Sequence, residues 1–175
     1  MQVAEVAQTK SKADLAVEGE GIGDGFLERG LTLVGAGLDG DFIRKAMEAD
    51  IAEMQQRHNT ICVLIRTMGS YAPMFGMTGT VLGVTQVLQN VTDINNIVAG
   101  MSLALLTTLY GLVMSTIFFI PVTNKLKGLT SKEALTKEII TEGIQMIIEK
   151  EIPLKVEKYL TAYLERKDKD LENAK

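Results

Sequence analysis

The sequence predicts an all-α membrane protein, with a hairpin of two transmembrane helices between charged, helix-forming flanks. No Asp, Glu, Lys, Arg or His occurs between Arg66 and Asp93, or between Asp93 and Lys125. The apolar segments 71–91 and 97–122 each supply the roughly 20 residues that a helix needs to cross ~30 Å of hydrocarbon. Because only residues 92–96 connect them, the two helices are expected to be antiparallel neighbours.

The basic residues are confined to the flanks of this hairpin. Of the 18 Lys and Arg residues, 7 precede Tyr71 and 11 follow Val122. By the positive-inside rule both termini are cytoplasmic and the connector 92–96 faces out. The sequence therefore predicts a cytoplasmic segment at 1–68, a transmembrane hairpin at 69–123 and a cytoplasmic segment at 124–175.

The overall composition excludes several classes of protein. The net charge of −4 argues against nucleic acid as a partner. The single Cys62 cannot form an internal disulfide, and it falls on the reducing cytoplasmic side. The N-terminus has no apolar core region, so it is not a signal peptide, and insertion relies on the internal spans.

The N-terminal flank alternates between predicted helices and glycine-rich breaks. Residues 2–18 favour a short helix, and Gly19–Gly25 follows as a linker. Neither a dinucleotide-binding nor a P-loop pattern fits those glycines. Phe26–Val34 is apolar enough to pack as a helix, and Gly35–Gly40 forms the second break.

A longer amphipathic helix is predicted from Asp41 to Met68, with Asp39 as its N-cap. In the C-terminal flank a second amphipathic helix spans 131–150, and Pro153 begins a final one. The charged run 166–170 is predicted to be solvated and without structure. The apolar face of the 131–150 helix consists of Leu135, Ile139, Ile140, Ile144, Ile147 and Ile148.

Metal binding and catalysis have no support in the sequence. His58 is the only histidine, and no second ligand stands at metal-binding spacing, so it is interpreted as a packed or solvated side chain. The methionines fill apolar faces. No Ser or Cys has a nearby His base, which argues against an enzyme.

Small residues form stripes at helical spacing within the two spans. Gly76, Gly79 and Gly83 share a face of the first span, and Gly111 lies on the small face of the second. Such stripes let two helices approach closely in a membrane. The opposite, larger apolar face suits lipid or a neighbouring subunit.

Five threonines fall at mid-membrane depth in the spans. Hydrogen bonds to their own helix carbonyls account for about half of them. A hydroxyl cluster on the packing face instead favours a polar path for water or a cation, with Thr80, Thr107 and Thr108 as candidates. Because neither span contains a carboxylate, a partner helix must supply any titrating group. The five threonines are Thr78, Thr80, Thr85, Thr107 and Thr108.

Two stretches carry a resemblance to a known family. Residues 72–83, APMFGMTGTVLG, resemble the MotA/TolQ/ExbB family of ion-driven motors, and residues 104–111, ALLTTLYG, are similar to its flagellar stator branch. The similarity covers nearly the whole chain. It places the two spans as the third and fourth of a four-span protein, so the chain is expected to be a fragment that lacks the first two.

The resemblance implies partners and a function. Five copies surround two copies of a MotB/PomB-type one-span subunit that carries the ion-binding Asp, in the bacterial inner membrane. Passage of Na⁺ or H⁺ turns this pentamer against the flagellar rotor switch protein, and no cofactor is involved. The alternatives are a TolQ/ExbB-type energiser of envelope transport and a non-conducting structural hairpin.

The resemblance also implies roles for single residues. Lys10 and Glu18 match the family's rotor-facing Arg and Glu, although Lys lacks the bidentate fork of Arg. Pro73 and Pro121 match prolines that couple ion passage to cytoplasmic movement, while the simpler interpretation is that they mark helix ends. The three candidate threonines are similar to the sodium-type pattern. Ala36 replaces an Asp that is frequent in the family's Asp-Gly turn.

Overall fold

All secondary structure in the described part of the chain is helical. The computed structural model describes residues 25–89 and 94–173, with side chains described through residue 164. No strand occurs in these ranges, so the predicted all-α class is confirmed. The elements in chain order are α1 (Gly25–Gly35), α2 (Gly40–Gln89), α3 (Ile94–Val113), a π-helical segment (Met114–Phe119), α4 (Ile120–Ile148) and α5 (Pro153–Asn173).

Two of the helices are longer than predicted. The helix expected at 41–68 and the span expected at 71–91 are one helix, α2. In the same way, α3, the π segment and α4 form one run of 55 residues from Ile94 to Ile148. Neither Gly69 nor Gly128 interrupts its helix, since an isolated glycine costs only about 1 kcal/mol of helix stability.

Other boundaries partly follow the sequence pattern. The second break contains Gly37, whose φ of +74° is a left-handed conformation that glycine adopts without strain. The N-cap expected at Asp39 immediately precedes α2, and its carbonyl accepts a hydrogen bond from the Ile43 N–H at 3.0 Å. Pro153 is the first residue of α5, as predicted.

Four predictions need correction or fall outside the described residues. Residues 94–96 belong to α3 and not to a connector. The run 166–170 lies within α5, so the expectation of an unstructured tail was wrong. Opposite charges four residues apart in that run favour a helix. The helix expected at 2–18, most of the linker at 19–25, and residues 92–93 lie outside the described part of the chain.

The chain divides into two compact units, one of which combines the described residues up to 55 with those from 131 onward. Its core is formed by α1, the start of α2 and α4. The buried side chains of this core are Phe26, Val34, Ile43, Met47, Ile51, Met54, Ala134 and Ile144.

Charged groups link the helices at the surface of this first unit. Arg44 on α2 donates to Glu48 at 3.0 Å and to Glu142 on α4 at 2.7 Å. The hydrogen bond to Glu48 and the charge of Glu142 raise the pKa of Arg44 above its ordinary value. Arg29 and Asp50 tie α1 to α2 at 2.5 Å. The second unit comprises residues 56–130 and contains the candidate glycines, threonines and prolines discussed below.

Candidate functional site

Within the second unit, α2 packs antiparallel against the run from α3 through the π segment into α4. Gly83 approaches Ala104, Gly76 approaches Thr107 and Thr108, and Gly69 approaches Phe119. As residue numbers fall along one helix, they rise along the other. We call this line of contact the seam.

The glycines allow contact of backbone with backbone at the seam. A Cβ atom added at Gly76 would lie 2.9 Å from the Thr107 carbonyl oxygen, and one at Gly83 would lie 2.8 Å from the Ala104 Cβ. One at Gly111 would lie 2.6 Å from the Ala72 carbonyl oxygen. At Gly79 the nearest atom is the Thr107 hydroxyl oxygen, 2.8 Å away. At Gly76 and Gly111 no larger side chain fits unless the helices move apart, because the atoms met are backbone atoms and real Cβ atoms do not approach others this closely. At Gly79 the Thr107 side chain would have to shift.

Three threonine hydroxyls meet on this seam. The Thr107 hydroxyl donates to the Ala104 carbonyl at 2.7 Å. The Thr80 hydroxyl lies 3.0 Å from the same carbonyl and 3.1 Å from that of Gly76, and it shares a hydrogen bond with the Thr108 hydroxyl. The sequence therefore nominated three residues that the fold brings together on one face.

The hydrogen bonds of this cluster can be counted. Three hydroxyls carry three protons, and five oxygens surround them: their own and the carbonyl oxygens of Gly76 and Ala104. If Thr107 and Thr80 donate to Ala104, Thr108 donates to Thr80 and every proton has an acceptor. The hydroxyl oxygens then keep lone pairs that can accept further hydrogen bonds, since an oxygen that donates can still accept.

Thr80 and Thr108 border open space, while the Thr107 hydroxyl is directed toward Gly79. An open groove runs along the surface of the helix pair at this level. Its remaining walls are apolar. The groove is lined by Met77, Thr80, Val81, Leu105, Thr108, Leu109 and Leu112.

The other two threonines of the sequence pattern behave differently. Thr78 and Thr85 are exposed, and they donate to the carbonyls of Met74 at 3.0 Å and Val81 at 2.8 Å on their own helix. Intrahelical bonding therefore accounts for these two. Only Thr80, Thr107 and Thr108 reach across the seam.

Neither candidate coupling proline ends a helix. Pro73 lies inside α2, next to the backbone of Gly111. Pro121 is the second residue of α4 and directly follows the π segment, where the Ile120 N–H donates to the Ser115 carbonyl. The interpretation that these prolines mark helix ends was wrong. A proline ring clashes with the carbonyl four residues earlier, and a wider π turn relieves that clash beside Pro121.

The second unit exposes large apolar side chains along both helices. Phe75 and Leu88 on α2 are 76% and 67% exposed, and Ile94 and Leu105 on α3 are 76% and 67% exposed. Within the described residues, one helix is both long and apolar enough to cross a membrane, the run from Ile94 to Ile148. The predicted first span within α2 does not meet that measure, so a two-helix transmembrane hairpin is not confirmed.

The remaining predicted residues fall as follows. Lys10 and Glu18 lie outside the described part of the chain. His58 pairs with the Thr130 hydroxyl at 3.3 Å, and Cys62 is buried. No group of three metal-ligating side chains occurs among residues 25–89 and 94–173.

Sequence reasoning missed two features of the second unit. One is the π segment Met114–Phe119. The other is a polar pocket beside it, which Arg66, Lys127 and the buried Ser115 all line. Charges so far apart in the sequence give no local signal that they share a pocket.

The sequence profile of the MotA/TolQ/ExbB proton channel family matches residues 18–138. The chain belongs to this family. The predicted resemblance is therefore confirmed, and the family is one of channels and not of enzymes. The seam and its threonine cluster both fall within the matched residues.

Motility proteins are prominent among the relatives of this MotA/TolQ/ExbB member. Motility protein A of Borreliella burgdorferi is 35% identical over 174 residues, which cover 99% of this chain and 67% of the relative. Chemotaxis protein PomA of Vibrio alginolyticus is 34% identical over 172 residues, which cover 98% of this chain and 68% of the relative.

Solved structures agree with this grouping. A chain of the flagellar MotAB stator complex from Bacillus subtilis matches with a TM-score of 0.86 at 28% identity over 93% of this chain. The C. jejuni MotAB structure matches with a TM-score of 0.87 at 23% identity over the same share, which supports the fold alone. The present chain spans 64% of each solved chain, and about two thirds of the two motility relatives.

Proposed function

We propose that this chain is a stator subunit of the flagellar motor, which works with a MotB-type one-span partner to convert ion flow into flagellar rotation. The observation that carries the proposal is the match to motility proteins over nearly the whole chain. The 28% identity to a chain of a flagellar MotAB stator complex supports it. Because those relatives are named for motility, the stator is favoured over a TolQ/ExbB-type energiser of envelope transport or a structural hairpin.

In this proposal both helices of the second unit cross the bacterial inner membrane, with the hairpin at 69–123 and both termini in the cytoplasm. Exposed apolar side chains on α2 as well as on α3 support two spans. Several glycines and Thr80, which make the first span less apolar, lie on the seam, where the neighbouring helix covers them. Lipid contacts the opposite face, so the mean hydropathy of the whole span understates its affinity for the membrane.

The threonine cluster is the proposed lining of the ion path. Thr80, Thr107 and Thr108 provide oxygen atoms for a partly dehydrated cation. The carboxylate that binds and releases the ion comes from the partner helix, since residues 67–92 and 94–124 contain no charge. Hydroxyl oxygens can replace part of the hydration shell of Na⁺, whereas a proton needs a water chain. We therefore propose Na⁺ as the ion, with H⁺ as the alternative.

The remaining parts of the motor are proposed by family analogy. Five copies of the chain surround two partner helices, and Lys10 and Glu18 face the rotor switch protein. Pro73 and Pro121 couple ion passage to movement of the cytoplasmic helices. The π turn beside Pro121 supports this role, because π turns are frequent at functional sites.

The decisive experiment is motility rescue in a stator-null strain. The chain is fused behind the first two spans of a motility relative and expressed with a MotB-type partner, and swimming is measured at several sodium concentrations. Swimming that rises with external sodium supports both the stator and the ion. Swimming that ignores sodium but stops with a protonophore assigns H⁺, and no swimming with a correctly inserted protein contradicts the stator.

A matched pair of variants then tests the ion path. Thr108→Ala removes a hydroxyl from the cluster and should reduce sodium-driven swimming speed while the protein still assembles with its partner. Thr85→Ala makes the same chemical change on an exposed side chain that bonds only within its own helix, so it should leave speed unchanged. Equal losses in the two variants would remove the cluster from the ion path.

The proposed topology is tested by thiol labelling in cells. Cys62 is buried, so its failure to react carries no topological information. The test therefore uses a Cys62→Ala background with single cysteines at Asn95 and at the exposed Asn59. An impermeant reagent should label the cysteine at 95 in intact cells and the cysteine at 59 only after lysis. The reverse pattern would invert the topology.

A further inference from the structure

A polar pocket lies in the second unit at the level where the charged flanks give way to the uncharged runs. Arg66 is the last charged residue before the first uncharged run, and Lys125 and Lys127 are the first after the second run. Arg66 and Lys127 both line this pocket. By the topology proposed above, which this inference requires, the pocket is at the cytoplasmic surface of the membrane.

The pocket has a buried floor and a charged rim. Gly69, Ser115 and Thr123 are buried, and Ser115 and Thr123 are only 7% and 5% exposed. The exposed side chains of Arg66, Ser70, Asn124 and Lys127 complete the walls. A Cβ atom at Gly69 would lie 2.8 Å from the Phe119 Cβ, so the two helices are in close contact at the base of the pocket.

The Ser115 hydroxyl is a further polar group that favours ligand binding in the pocket. Its neighbour Thr116 donates to the Leu112 carbonyl at 2.8 Å, and Thr123 on the same floor donates to Phe119 at 2.8 Å. The Ser115 residue is more than nine-tenths buried, but every fully buried side-chain oxygen or nitrogen among the described residues has a hydrogen-bond partner. No hydrogen bond of the Ser115 hydroxyl occurs with these residues, so its oxygen reaches the open space of the pocket that Ser115 lines. The hydroxyl is therefore accessible to a group bound in the pocket.

The charge around the pocket favours an anion. Residues 56–130 contain four Lys or Arg, and their only carboxylate is Asp93, at the opposite end of both uncharged runs. The Arg66 guanidinium forms no ion pair with the described residues. An arginine fork, a lysine ammonium and hydroxyl donors are the groups that bind phosphate oxygens.

We propose that this pocket binds the phosphate headgroup of an anionic phospholipid in the cytoplasmic leaflet. The source of the phosphate follows from the surroundings: Ile120 and Phe119 line the pocket beside the polar groups, and large apolar side chains such as Phe118 and Ile117 are exposed on the adjoining helix surface. A lipid offers acyl chains to that surface while its phosphate enters the pocket, whereas a free phosphate gains nothing from it. Basic pockets between transmembrane helices on the cytoplasmic side bind such headgroups in other proteins.

The test uses the purified full chain in a neutral detergent, with phosphatidylglycerol added to the micelles. Bound lipid is counted by native mass spectrometry, and thermal unfolding is followed by circular dichroism. Phosphatidylcholine and inorganic phosphate are the comparison ligands. Phosphatidylglycerol should remain bound and raise the unfolding temperature, while the other two should do neither.

Two double variants with the same change in net charge make the result specific to the pocket. Arg66→Gln with Lys127→Gln removes both rim cations and should weaken phosphatidylglycerol binding about tenfold or more. Arg57→Gln with Lys125→Gln removes two cations that do not line the pocket and should leave affinity within about a factor of two, since surface charge acts on both pairs alike. Ser115→Ala, which leaves the charge unchanged, should also weaken binding. It provides the test of the pocket if the rim variant is poorly folded.

Three results would overturn the proposal: equal losses in the two double variants, equal stabilisation by inorganic phosphate, or unchanged binding in Ser115→Ala together with the folded rim variant. Lipid retention requires neither the partner subunit nor ion flow. Loss of lipid selectivity with intact swimming rescue would therefore reject this inference alone, and selective binding without rescue would reject the stator alone.

Discussion

Replacing Gly111 by Ala tests how closely the two helices of the seam approach. The added Cβ would lie 2.6 Å from the Ala72 carbonyl oxygen and 3.2 Å from the Cα atoms of Pro73 and Gly76. All three are backbone atoms, so no side chain can rotate to make room and the helices must separate. Overpacking of this kind costs about 1–3 kcal/mol, and the higher helix propensity of Ala offsets about 1 kcal/mol of that.

Gly128→Ala is the matched control for this substitution. Gly128 lies on the same continuous helical run, and a Cβ there meets no atom within 4 Å. Both variants gain the same helix propensity, so the difference between them is the cost of overpacking. A difference of about 2 kcal/mol corresponds to roughly 4–8 °C in unfolding temperature for a chain of this size.

The assay is thermal unfolding of the two purified variants in one detergent, followed by circular dichroism at 222 nm, a wavelength that reports helix content. Gly128→Ala should unfold at or above the temperature of the parent chain, and Gly111→Ala should unfold clearly below it. If both variants unfold within about 1 °C of each other, the helices are not in backbone contact at this level. If Gly128→Ala lowered the unfolding temperature as much as Gly111→Ala, the loss would reflect glycine replacement in general and not contact at the seam.

Three further substitutions have expected outcomes. Gly37→Ala should lower the free energy of unfolding by about 1 kcal/mol or more, because a φ of +74° is strained for alanine, and denaturant unfolding measures it. Arg44→Ala should cost at most about 1 kcal/mol, since its ion pairs with Glu48 and Glu142 are partly exposed, and about 1 M salt should erase most of the difference. Pro121→Ala restores a backbone N–H and removes the ring clash, so hydrogen exchange of the amides across 114–121 should slow relative to the parent chain. Unchanged exchange would show that the π turn does not depend on the proline.

Much of the fold was predictable because short-range signals and the hydrophobic pattern agreed. The α1 helix, the turn before α2 and the start of α5 at Pro153 follow from glycines and prolines at element ends. The continuity of α2 through Pro73 was not predictable, because proline inside a helix is a breaker by local rules. In the structure Pro73 lies beside Gly111 of the neighbouring helix, and such contacts are invisible in a single sequence.

The candidate site shows the same division. Residue spacing was enough to nominate Thr80, Thr107 and Thr108, because small residues at helical intervals define a packing face. Spacing could not show that the hydroxyls of Thr78 and Thr85 bond only within their own helix, since that depends on which carbonyl each hydroxyl reaches. The pocket around Ser115 was missed because its two cations, Arg66 and Lys127, are far apart in the sequence and come together only when the two helices pack.

The π segment changes how this region should be aligned with other sequences. Gly111 and Phe119 contact α2, and Ser115 and Thr123 are buried on the same run. These four positions follow one another at intervals of four, so over these 12 residues an α-helix would turn away from its partner by roughly 120°. The wider turn absorbs about one residue, roughly 100° of that rotation, and keeps all four positions on one line. A relative without the wide turn would be one residue shorter here and still present an equivalent seam. A single-residue gap at 114–119 in an alignment would then mark a change of helix type and not a lost contact.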